Sequence, residues 1–434
     1  MRIQINELLH RADARLPSGA PDTEFEGGFV DSRDPVEGAL FVGLQGESAD
    51  GGQHAPEALR RGAAAALVGE SAWFWIEGEV QALRKPVIVA EDPLAVLQEA
   101  GRMALEASGA KVVGITGASG KTTTKDILLA MLRAAGASAE GTAGNRNTEI
   151  GVPLTLLGLS EGIDVAVVEM GMRGMGQIAE LAELAPPDVG CITSIGPVHL
   201  ELVGTVEAVA EAKSELIRAL RPGGTAVVPA DEPLLDPHLT ALPEGVGVER
   251  FGKEPDIPLD LPWATAWLRT NAAAALECCR AVGHAPDPGT AVSVELSALR
   301  GAERPLEGGG VLIEDCYNAN PIAMRAALTD LAGRSGRTVA VLADMFELGD
   351  EEDRYHREVG AAVKELGIDA LIAVGERAAL YAEGADGVEG VHIATVEEAM
   401  ERVPALLAPG DAVLLKGSRG MALERVGDAI AGRG

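Results

Sequence analysis

The 434-residue sequence has few of the features that mark disulfide-bonded, membrane-spanning or secreted proteins. It contains four cysteines, Cys191, Cys278, Cys279 and Cys316, whose spacing matches neither a zinc site nor a redox motif. Only 3% of its residues are aromatic. No apolar run approaches the ~18 residues of a membrane span, and residues 1–15 contain no signal-peptide core. We therefore expect reduced cysteines, no membrane span and a cytoplasmic location.

Positive charge is also scarce. Lys and Arg number 36 against 66 Asp and Glu, so the formal net charge is −30. Such a surface repels nucleic acid and anionic membranes, so we expect no nucleic-acid partner. An anionic ligand must instead be held locally, by backbone N–H groups, a metal ion or a few placed cations. The length suggests roughly three domains, at about 150 residues each.

One glycine-rich stretch organises the rest of the chain. Residues 114–124 read Gly-Ile-Thr-Gly-Ala-Ser-Gly-Lys-Thr-Thr-Thr, between a strand predicted at 111–115 and a helix predicted at 121–135. Such a turn binds phosphate through backbone N–H groups and the helix N-terminus, while its lysine and threonine reach phosphate and Mg²⁺. The loop is a variant, since Gly114 and Gly120 enclose five residues rather than four. We assign phosphate contacts to Gly117, Ala118, Ser119, Gly120, Lys121, Thr122 and Thr123.

Alternating strand and helix patterns predict an α/β protein of three domains. Residues 1–110 mix short strands and helices, as in a small α/β domain. Residues 111–302 repeat strand then helix after the glycine-rich turn, which predicts a central P-loop ATPase domain with a parallel sheet. A Gly-, Glu- and Pro-rich stretch at 300–310 reads as a link. Residues 303–434 then predict a doubly wound, Rossmann-like domain. Periodicity is lost between residues 229 and 267.

Two polar residues are expected where central strands end. Glu169 closes a strand predicted at 165–168, and His199 follows one predicted at 189–195. Ligands gather at the carboxyl ends of parallel strands, so Glu169 is a candidate metal ligand, although a solvated turn acid gives the same pattern. His199 alone indicates little, since a lone histidine is usually structural. Ser32 and Arg33 read from the sequence alone as an exposed turn.

With the third region included, the chain resembles the Mur ligases, the ATP-dependent amide-forming enzymes of peptidoglycan precursor synthesis. The resemblance spans nearly the whole chain. It is most specific at residues 315–321, Asp-Cys-Tyr-Asn-Ala-Asn-Pro, and at residues 344–349, Asp-Met-Phe-Glu-Leu-Gly, which are similar to the branch that adds D-alanyl-D-alanine. It implies ATP and Mg²⁺ as cofactors, UDP-N-acetylmuramoyl-tripeptide and D-alanyl-D-alanine as substrates, an acyl phosphate intermediate and a C-terminal domain that closes over the site. We expect a monomer.

The resemblance also implies roles for single residues. The catalytic set would be Lys121, Glu169, His199 and Lys213, and the metal site would consist of Thr122, Glu169, His199 and Lys213, of which Lys213 matches a lysine that can be carbamylated. The nucleotide would also contact Asn271, Arg300 and Asn318, with Arg304 as the alternative to Arg300 at the ribose. The substrate would contact Ser32, Arg33, Asn145, Asn147, Asn320 and Asp344. Family members commonly carry His-Asn four and three residues before Asn271, where this chain has Trp267 and Leu268.

Two other functions stay open from the sequence. The nearer function is that of another amide ligase of the same superfamily, either a sister Mur enzyme or one like folylpolyglutamate synthase. The Tyr-Asn-Ala-Asn-Pro segment counts against this function. The farther is a nucleotide-dependent protein that binds ATP and a partner without ligation. The presence of Glu169, His199 and Lys213 counts against that function.

Overall fold

The computed structural model describes residues 1–17, 23–47, 49–252, 257–261 and 265–432. Three sheets of five, six and six strands lie along the chain, together with one two-stranded pair. This confirms an α/β fold with a small N-terminal unit, a central parallel sheet and a C-terminal doubly wound sheet. The domain boundaries near residues 110 and 302 stay predictions. Among the described residues, no helix is long and apolar enough to cross a membrane.

The N-terminal unit is a mainly parallel sheet with helices against it. The paired strands β1 and β3 are antiparallel, and the five-stranded sheet has the order β2-β7-β6-β5-β4. The strands β5, β6 and β7 are almost wholly buried, as their continuous apolar runs require. The elements are β1 (Arg2–Gln4), α1 (Ile5–Arg11), β2 (Ala14–Arg15), β3 (Glu24–Glu26), β4 (Gly28–Phe29), β5 (Leu40–Gly43), α2 (Ala55–Arg60), β6 (Ala65–Gly69), α3 (Glu70–Leu83), β7 (Val87–Ala90) and α4 (Pro93–Ser108).

The central sheet is wholly parallel, in the order β13-β12-β11-β8-β10-β9. Its strands are β8 (Lys111–Thr116), β9 (Ala139–Gly141), β10 (Val165–Glu169), β11 (Val189–Ile192), β12 (Thr225–Pro229) and β13 (Gly247–Phe251). Its helices are α5 (Lys121–Ala134), α6 (Gly151–Leu157), α7 (Gln177–Leu184), α8 (Leu200–Val203), α9 (Val206–Arg218), α10 (Asp236–Leu239) and α11 (Ala266–Val282).

One prediction for the central sheet was inaccurate, and one stretch carried no prediction of secondary structure. The strand predicted at 189–195 ends at Ile192, because the next residues turn toward the glycine-rich loop. The stretch after residue 229, which lacks periodicity, contains β13 as an edge strand whose first four residues are exposed. The strands β8, β10 and β11 are neighbours, so their carboxyl ends meet at one edge of the sheet.

The C-terminal sheet has the order β14-β15-β19-β16-β17-β18, parallel except for β14. We predicted that residues 300–310 form a link, and this prediction was wrong. The segment contains β14, which pairs with β15 as a hairpin at the sheet edge. The elements are β14 (Ala302–Pro305), β15 (Val311–Glu314), α12 (Pro321–Ala332), β16 (Thr338–Ala343), α13 (Glu352–Glu365), β17 (Ala370–Val374), α14 (Ala379–Gly384), β18 (Glu389–Ile393), α15 (Val396–Leu406), β19 (Ala412–Lys416) and α16 (Glu424–Ile430).

The central and C-terminal units are in contact. Ile322, in the first turn of α12, packs against the backbone of Gly196, where an added Cβ would lie 2.0 Å from its Cδ1 atom. One cluster of buried apolar side chains includes Val198 and Leu200 from the central unit and Ala319 and Met324 from the C-terminal unit. The two units therefore share part of their buried apolar packing.

All four cysteines are free and buried, which agrees with the reduced state expected from the sequence. Burial raises the pKa of Cys279 to about 12 and that of Cys316 to about 12. A thiol with so high a pKa carries almost no thiolate near neutral pH, and the thiolate is the reactive form. The cysteines therefore act as small apolar core residues.

Candidate active site

A cavity of about 860 Å³ lies between the carboxyl edge of the central sheet and the C-terminal unit. Residues 118–123 of the glycine-rich loop form part of its wall. The cavity also brings together most of the other site residues predicted from the sequence: Asn145, Asn147, Glu169, His199, Lys213, Arg300, Asn318 and Asn320. Residues more than 200 positions apart in the chain thus line one cavity.

The glycine-rich loop connects β8 to α5 with two glycines that no other residue can replace without strain. Gly117 has φ 154° and Gly120 has φ 85°. An added Cβ would lie 1.9 Å from Thr193 Oγ1 at Gly117 and 2.4 Å from Asn271 Oδ1 at Gly120. The N–H groups of the first turn of α5 have no partner within the helix, and its N-terminus carries a partial positive charge. This geometry suits a bound phosphate.

Two hydroxyl side chains that the sequence analysis missed hold the loop in place. Ser194 Oγ accepts a hydrogen bond from Ser119 N at 2.8 Å, and Thr193 Oγ1 donates to Ser119 O at 2.5 Å. Ala118 N donates to Ser194 O at 2.9 Å. Their position directly after β11, where ligands of parallel sheets gather, is the signal that could have identified them.

The end of β10 provides an oxygen-rich group beside the loop. Thr122 Oγ1 donates to Glu169 Oε2 at 2.8 Å, and Asn147 Nδ2 donates to Glu169 Oε1 at 2.8 Å. Glu169 is only 2% exposed. A buried carboxylate beside a hydroxyl is a donor set that fits Mg²⁺, which is usually bound by one or two carboxylates, phosphate oxygens and waters. No group of three or more His, Cys, Asp or Glu that could hold a metal occurs within the described part of the chain.

Two lysines, the half-buried Lys121 and the buried Lys213, line the same cavity. Lys121 Nζ donates to Gly117 O at 2.8 Å. Burial lowers the pKa of Lys121. The negative charge of Glu169 raises this pKa, and the positive charge of Arg300 lowers it further. Burial lowers the pKa of Lys213 well below the usual lysine value, and the neighbouring Lys121 acts in the same direction. Both effects act against the charged ammonium form of Lys213.

His199 lies at the boundary between the two units. Its Nδ1 atom is 2.6 Å from Glu347 Oε2, and the two side chains form an ion pair when the imidazole is protonated. The direction of the ring N–H does not meet hydrogen-bond geometry. The contact with His199 lowers the pKa of Glu347. Both residues have left-handed backbone, with φ 54° and 63°. The resemblance included the segment 344–349 but gave no role to Glu347.

Two predicted residues are not among those that line the cavity. Asn271 is behind the loop, where its Oδ1 accepts from Thr124 Oγ1 at 3.3 Å. Asp344 is buried in the C-terminal unit, where its Oδ1 accepts from Ala378 N at 2.6 Å. Their contacts with nucleotide and substrate stay predictions.

Ser32 and Arg33 lie in the N-terminal unit, apart from the cavity wall. Ser32 is buried, and its carbonyl accepts from Arg61 Nη1 at 2.7 Å. Arg33 is exposed and pairs with Asp31 at 2.7 Å, an interaction that lowers the pKa of Asp31 to about 2. A role for Ser32 and Arg33 at the uridine end stays a prediction.

The structure adds cavity residues to which the sequence analysis gave no role. The guanidinium of Arg300 stacks on the ring of Tyr317, 4.0 Å from its centroid. Lys416 Nζ donates to Asp315 Oδ2 at 2.5 Å, and both residues line the cavity. Asp315 opens the segment 315–321 that carried the family resemblance, which is the signal that could have selected it. Trp267 also lines the cavity.

Comparison with known proteins gives the family. Residues 115–271 match the Mur ligase middle domain, and residues 303–419 match the Mur ligase, glutamate ligase domain. The UDP-N-acetylmuramoyl-tripeptide--D-alanyl-D-alanine ligase of Bacillus subtilis is 34% identical, with 93% of each chain covered. The chain belongs to the Mur ligase family. The ligase of the same name from Synechocystis sp. is 35% identical, covering 92% of this Mur ligase and 90% of the relative.

Solved structures agree with this assignment. The Mur ligase fold seen here is similar to MurF from Acinetobacter baumannii, with a TM-score of 0.86, 26% identity, and coverage of 100% and 99%. It is also similar to MurF from Thermotoga maritima in complex with ADP, with a TM-score of 0.79, 28% identity, and coverage of 94% and 97%. A folylpolyglutamate synthase/dihydrofolate synthase from Yersinia pestis, at 20% identity and a TM-score of 0.55, shares the fold alone.

Proposed function

We propose that this Mur ligase joins D-alanyl-D-alanine to UDP-N-acetylmuramoyl-tripeptide at the expense of ATP. The observation that carries the proposal is that the phosphate loop and the segment 315–321 line one cavity. The names of relatives at 34% and 35% identity over nearly their whole length support it. We place the reaction in the cytoplasm, and the enzyme acts as a monomer.

In the first step, the carboxylate of the tripeptide attacks the γ-phosphorus of ATP. A bond forms between the carboxylate oxygen and phosphorus, the bond to the β–γ bridging oxygen breaks, and ADP leaves. Two anions must approach each other, so the N–H groups of the loop and the ammonium of Lys121 stabilise the charge on the phosphoryl group. Thr122, Glu169 and His199 would hold Mg²⁺, which supplies further neutralisation of phosphate charge. Asn147 keeps Glu169 oriented.

In the second step, the amine of D-alanyl-D-alanine attacks the acyl carbon. The new C–N bond forms through a tetrahedral intermediate, and the C–O bond to phosphate then breaks. Water competes with the amine for the acyl phosphate, so the site must exclude it. The contact between Ile322 and Gly196, together with the hydrogen bond from Asn320 to Ala118, closes the C-terminal unit over the cavity.

Lys213 is the proposed site of carbamylation. The reaction adds the neutral amine nitrogen to the carbon of CO₂ and releases one proton, which leaves an anionic carbamate. The lowered pKa of Lys213 favours the neutral amine that this addition needs. A carbamate in the cavity that Glu169 also lines would add an oxygen ligand for a metal ion, whereas an ammonium would repel it.

The remaining residues are proposed to hold the rest of the substrates. ATP is held by Gly117, Ala118, Ser119, Gly120 and Thr123 at its phosphates and by Asn271, Arg300 and Asn318 elsewhere. The peptide substrate is held by Ser32, Arg33, Asn145, Asn147, Asn320 and Asp344.

Phosphate release in a coupled assay tests the function. We expect ATP-dependent release only when UDP-N-acetylmuramoyl-tripeptide and D-alanyl-D-alanine are both present, together with a product heavier by the dipeptide in mass spectrometry. A preference for L-glutamate or another amino acid over D-alanyl-D-alanine would contradict the proposal. So would phosphate release that does not depend on the tripeptide.

A further inference from the structure

The first turn of α11 extends past the edge of the central sheet that carries the glycine-rich loop. At the far end of this helix, the carbonyl of Val282 accepts a hydrogen bond from Lys111 Nζ at 3.0 Å, and Lys111 is the first residue of β8. Near its start, Asn271 lies behind the loop, where its Oδ1 atom would be 2.4 Å from a Cβ added at Gly120. The helix therefore runs back along the sheet from the loop, and the residues before Asn271 extend toward the cavity.

Trp267 forms this end of the cavity wall. It precedes Asn271 by four residues, a spacing that places both on one face of the helix, about 6 Å apart along its axis. Trp267 therefore lies about one helical turn beyond the loop, within the length of a nucleoside whose phosphates bind there. Its side chain lines the cavity and is partly buried, so one part of the indole is available to a ligand.

A stacked pair of side chains lies beside Trp267. Its ring carbon Cζ2 would be 3.5 Å from a Cβ added at Gly301, so the indole is next to the chain directly after Arg300. The guanidinium of Arg300 lies over the ring of Tyr317, 4.0 Å from the centroid, and both residues line the cavity. This end of the cavity thus contains an indole, a guanidinium and a phenol ring, the flat groups on which nucleobases stack.

The side-chain oxygens of the described residues near this end are poorly placed to read the edge of a base. Leu268, the next residue of α11, is 6% exposed and packs in the apolar core. Asn271 Oδ1 accepts from Thr124 Oγ1 at 3.3 Å, and Asn318 Oδ1 accepts from Ala319 N at 2.9 Å. The amino group of adenine is a donor that needs such an oxygen, whereas guanine presents an acceptor at the same position. These side chains therefore give little basis for choosing adenine.

We propose that the nucleobase of the nucleoside triphosphate stacks on Trp267, and that this Mur ligase therefore accepts guanosine and inosine triphosphates as well as ATP. Every base has a π face, so stacking strengthens binding but discriminates weakly among bases. The phosphate groups that the loop binds are the same in all three nucleotides. This inference rests on the proposed function and deepens it by assigning the class of nucleotide that the site uses.

The first test compares ATP, GTP and ITP, each with Mg²⁺ and both peptide substrates. We expect kcat/KM for GTP and for ITP to be within about tenfold of that for ATP. A site that depends on a selective hydrogen bond rejects an analogue without it by about 10⁴-fold or more. Inorganic tripolyphosphate, which has neither base nor ribose, should bind at least about fivefold more weakly than ATP, because it cannot stack.

Variants of Trp267 test the stacking itself. Trp267→Leu should raise KM for each triphosphate by about 5-fold to 150-fold, the range expected when a base loses its stacking partner, while kcat changes far less. Trp267→Phe retains a flat ring and should keep most of the affinity. Trp75→Leu is the matched control, because Trp75 is 73% exposed on α3 in the N-terminal unit. It should leave KM unchanged.

Tryptophan fluorescence gives a readout that does not depend on turnover. The chain has four tryptophans, and a base stacked on the indole of Trp267 should quench part of their emission when ATP or GTP is added. Trp267→Phe should still bind nucleotide in a direct titration but lose this quenching. Trp75→Leu should retain it.

An ATP preference of more than about tenfold over both GTP and ITP would overturn the tolerance of other bases. An unchanged KM in a folded Trp267→Leu variant, or undiminished quenching in Trp267→Phe, would overturn the stacking role. Each of these results leaves the ligase function intact. Failure of all three triphosphates to support ligation would instead contradict the proposed function.

Discussion

Asn320 joins two functions that a pair of substitutions can separate. Its Oδ1 accepts the N–H of Ala323 at 2.9 Å and so caps α12, while its Nδ2 donates to the carbonyl of Ala118 in the phosphate loop at 3.2 Å. The first bond lies within the C-terminal unit, and the second crosses to the central unit. Asn320→Asp should keep the cap, because aspartate is as good an N-cap as asparagine, but it loses the donor to Ala118.

The size of the effect follows from these two bonds. A net loss of about 0.5–1.5 kcal/mol for one neutral hydrogen bond corresponds to about 2-fold to 12-fold in kcat/KM if closure precedes the reaction. If the carbonyl of Ala118 stays buried without a partner, the cost rises to about 1–3 kcal/mol, or about 5-fold to 150-fold. Asn320→Ala should lose the same hydrogen bond to Ala118 and, in addition, about 1 kcal/mol of stability from the cap.

The assay pairs turnover with urea unfolding. Asn320→Asp should unfold near the wild-type midpoint but ligate slowly, and Asn320→Ala should be impaired in both measurements. Thr395→Ala is the control, since Thr395 Oγ1 caps α15 through Glu398 N at 3.2 Å, away from the cavity. It should lose stability and retain ligation. Wild-type kcat/KM in Asn320→Asp would refute the reasoning that this bond holds the units together.

Three further predictions concern single groups. Lys121→Ala should lower kcat by about 100-fold or more while ATP affinity, measured by titration, changes far less, because its ammonium acts on charge that develops in the transition state; near-normal turnover would contradict this. Lys213→Ala should be nearly inactive and partly rescued by acetate, and the wild type should lose activity in CO₂-depleted buffer and regain it with bicarbonate; full activity without added acid would exclude a carbamate role. Burial lowers the pKa of His356, whose Nε2 accepts from Met345 N at 3.1 Å. The unfolded chain therefore binds a proton more readily, so the urea midpoint should fall as pH drops below about 6.5, and less so in His356→Asn.

Features set by local sequence were predictable. The phosphate loop, the helix at Gln177–Leu184 and the strand at Val311–Glu314 each follow from periodicity and turn residues close in the chain. Glu169 was identified by the same logic, because a polar residue that ends a buried parallel strand must emerge at the ligand-binding edge. The family resemblance also identified Lys213, Asn318 and Asn320 as candidate site residues.

Features set by tertiary contact were not predictable. β14 reads Ala-Glu-Arg-Pro, without apolar alternation, and is a strand because it pairs with β15 and because Arg304 forms a salt bridge with Glu314. β13 is an exposed edge strand with a similarly weak pattern. The support of Ser119 by Thr193 and Ser194 joins residues about 75 positions apart, and the contact of His199 with Glu347 depends on how two units close.

The four buried thiols make the protein suitable for site-specific spectroscopy. With no exposed cysteine among the described residues, and with the pKa of Cys279 and of Cys316 near 12, maleimide dyes or spin labels would find almost no native thiolate to modify. One cysteine introduced at an exposed position of the central unit, such as Arg133, and another in the C-terminal unit, such as Glu401, would carry a donor and acceptor pair without prior removal of native thiols. The distance between the dyes could then be followed in single molecules as each substrate is added.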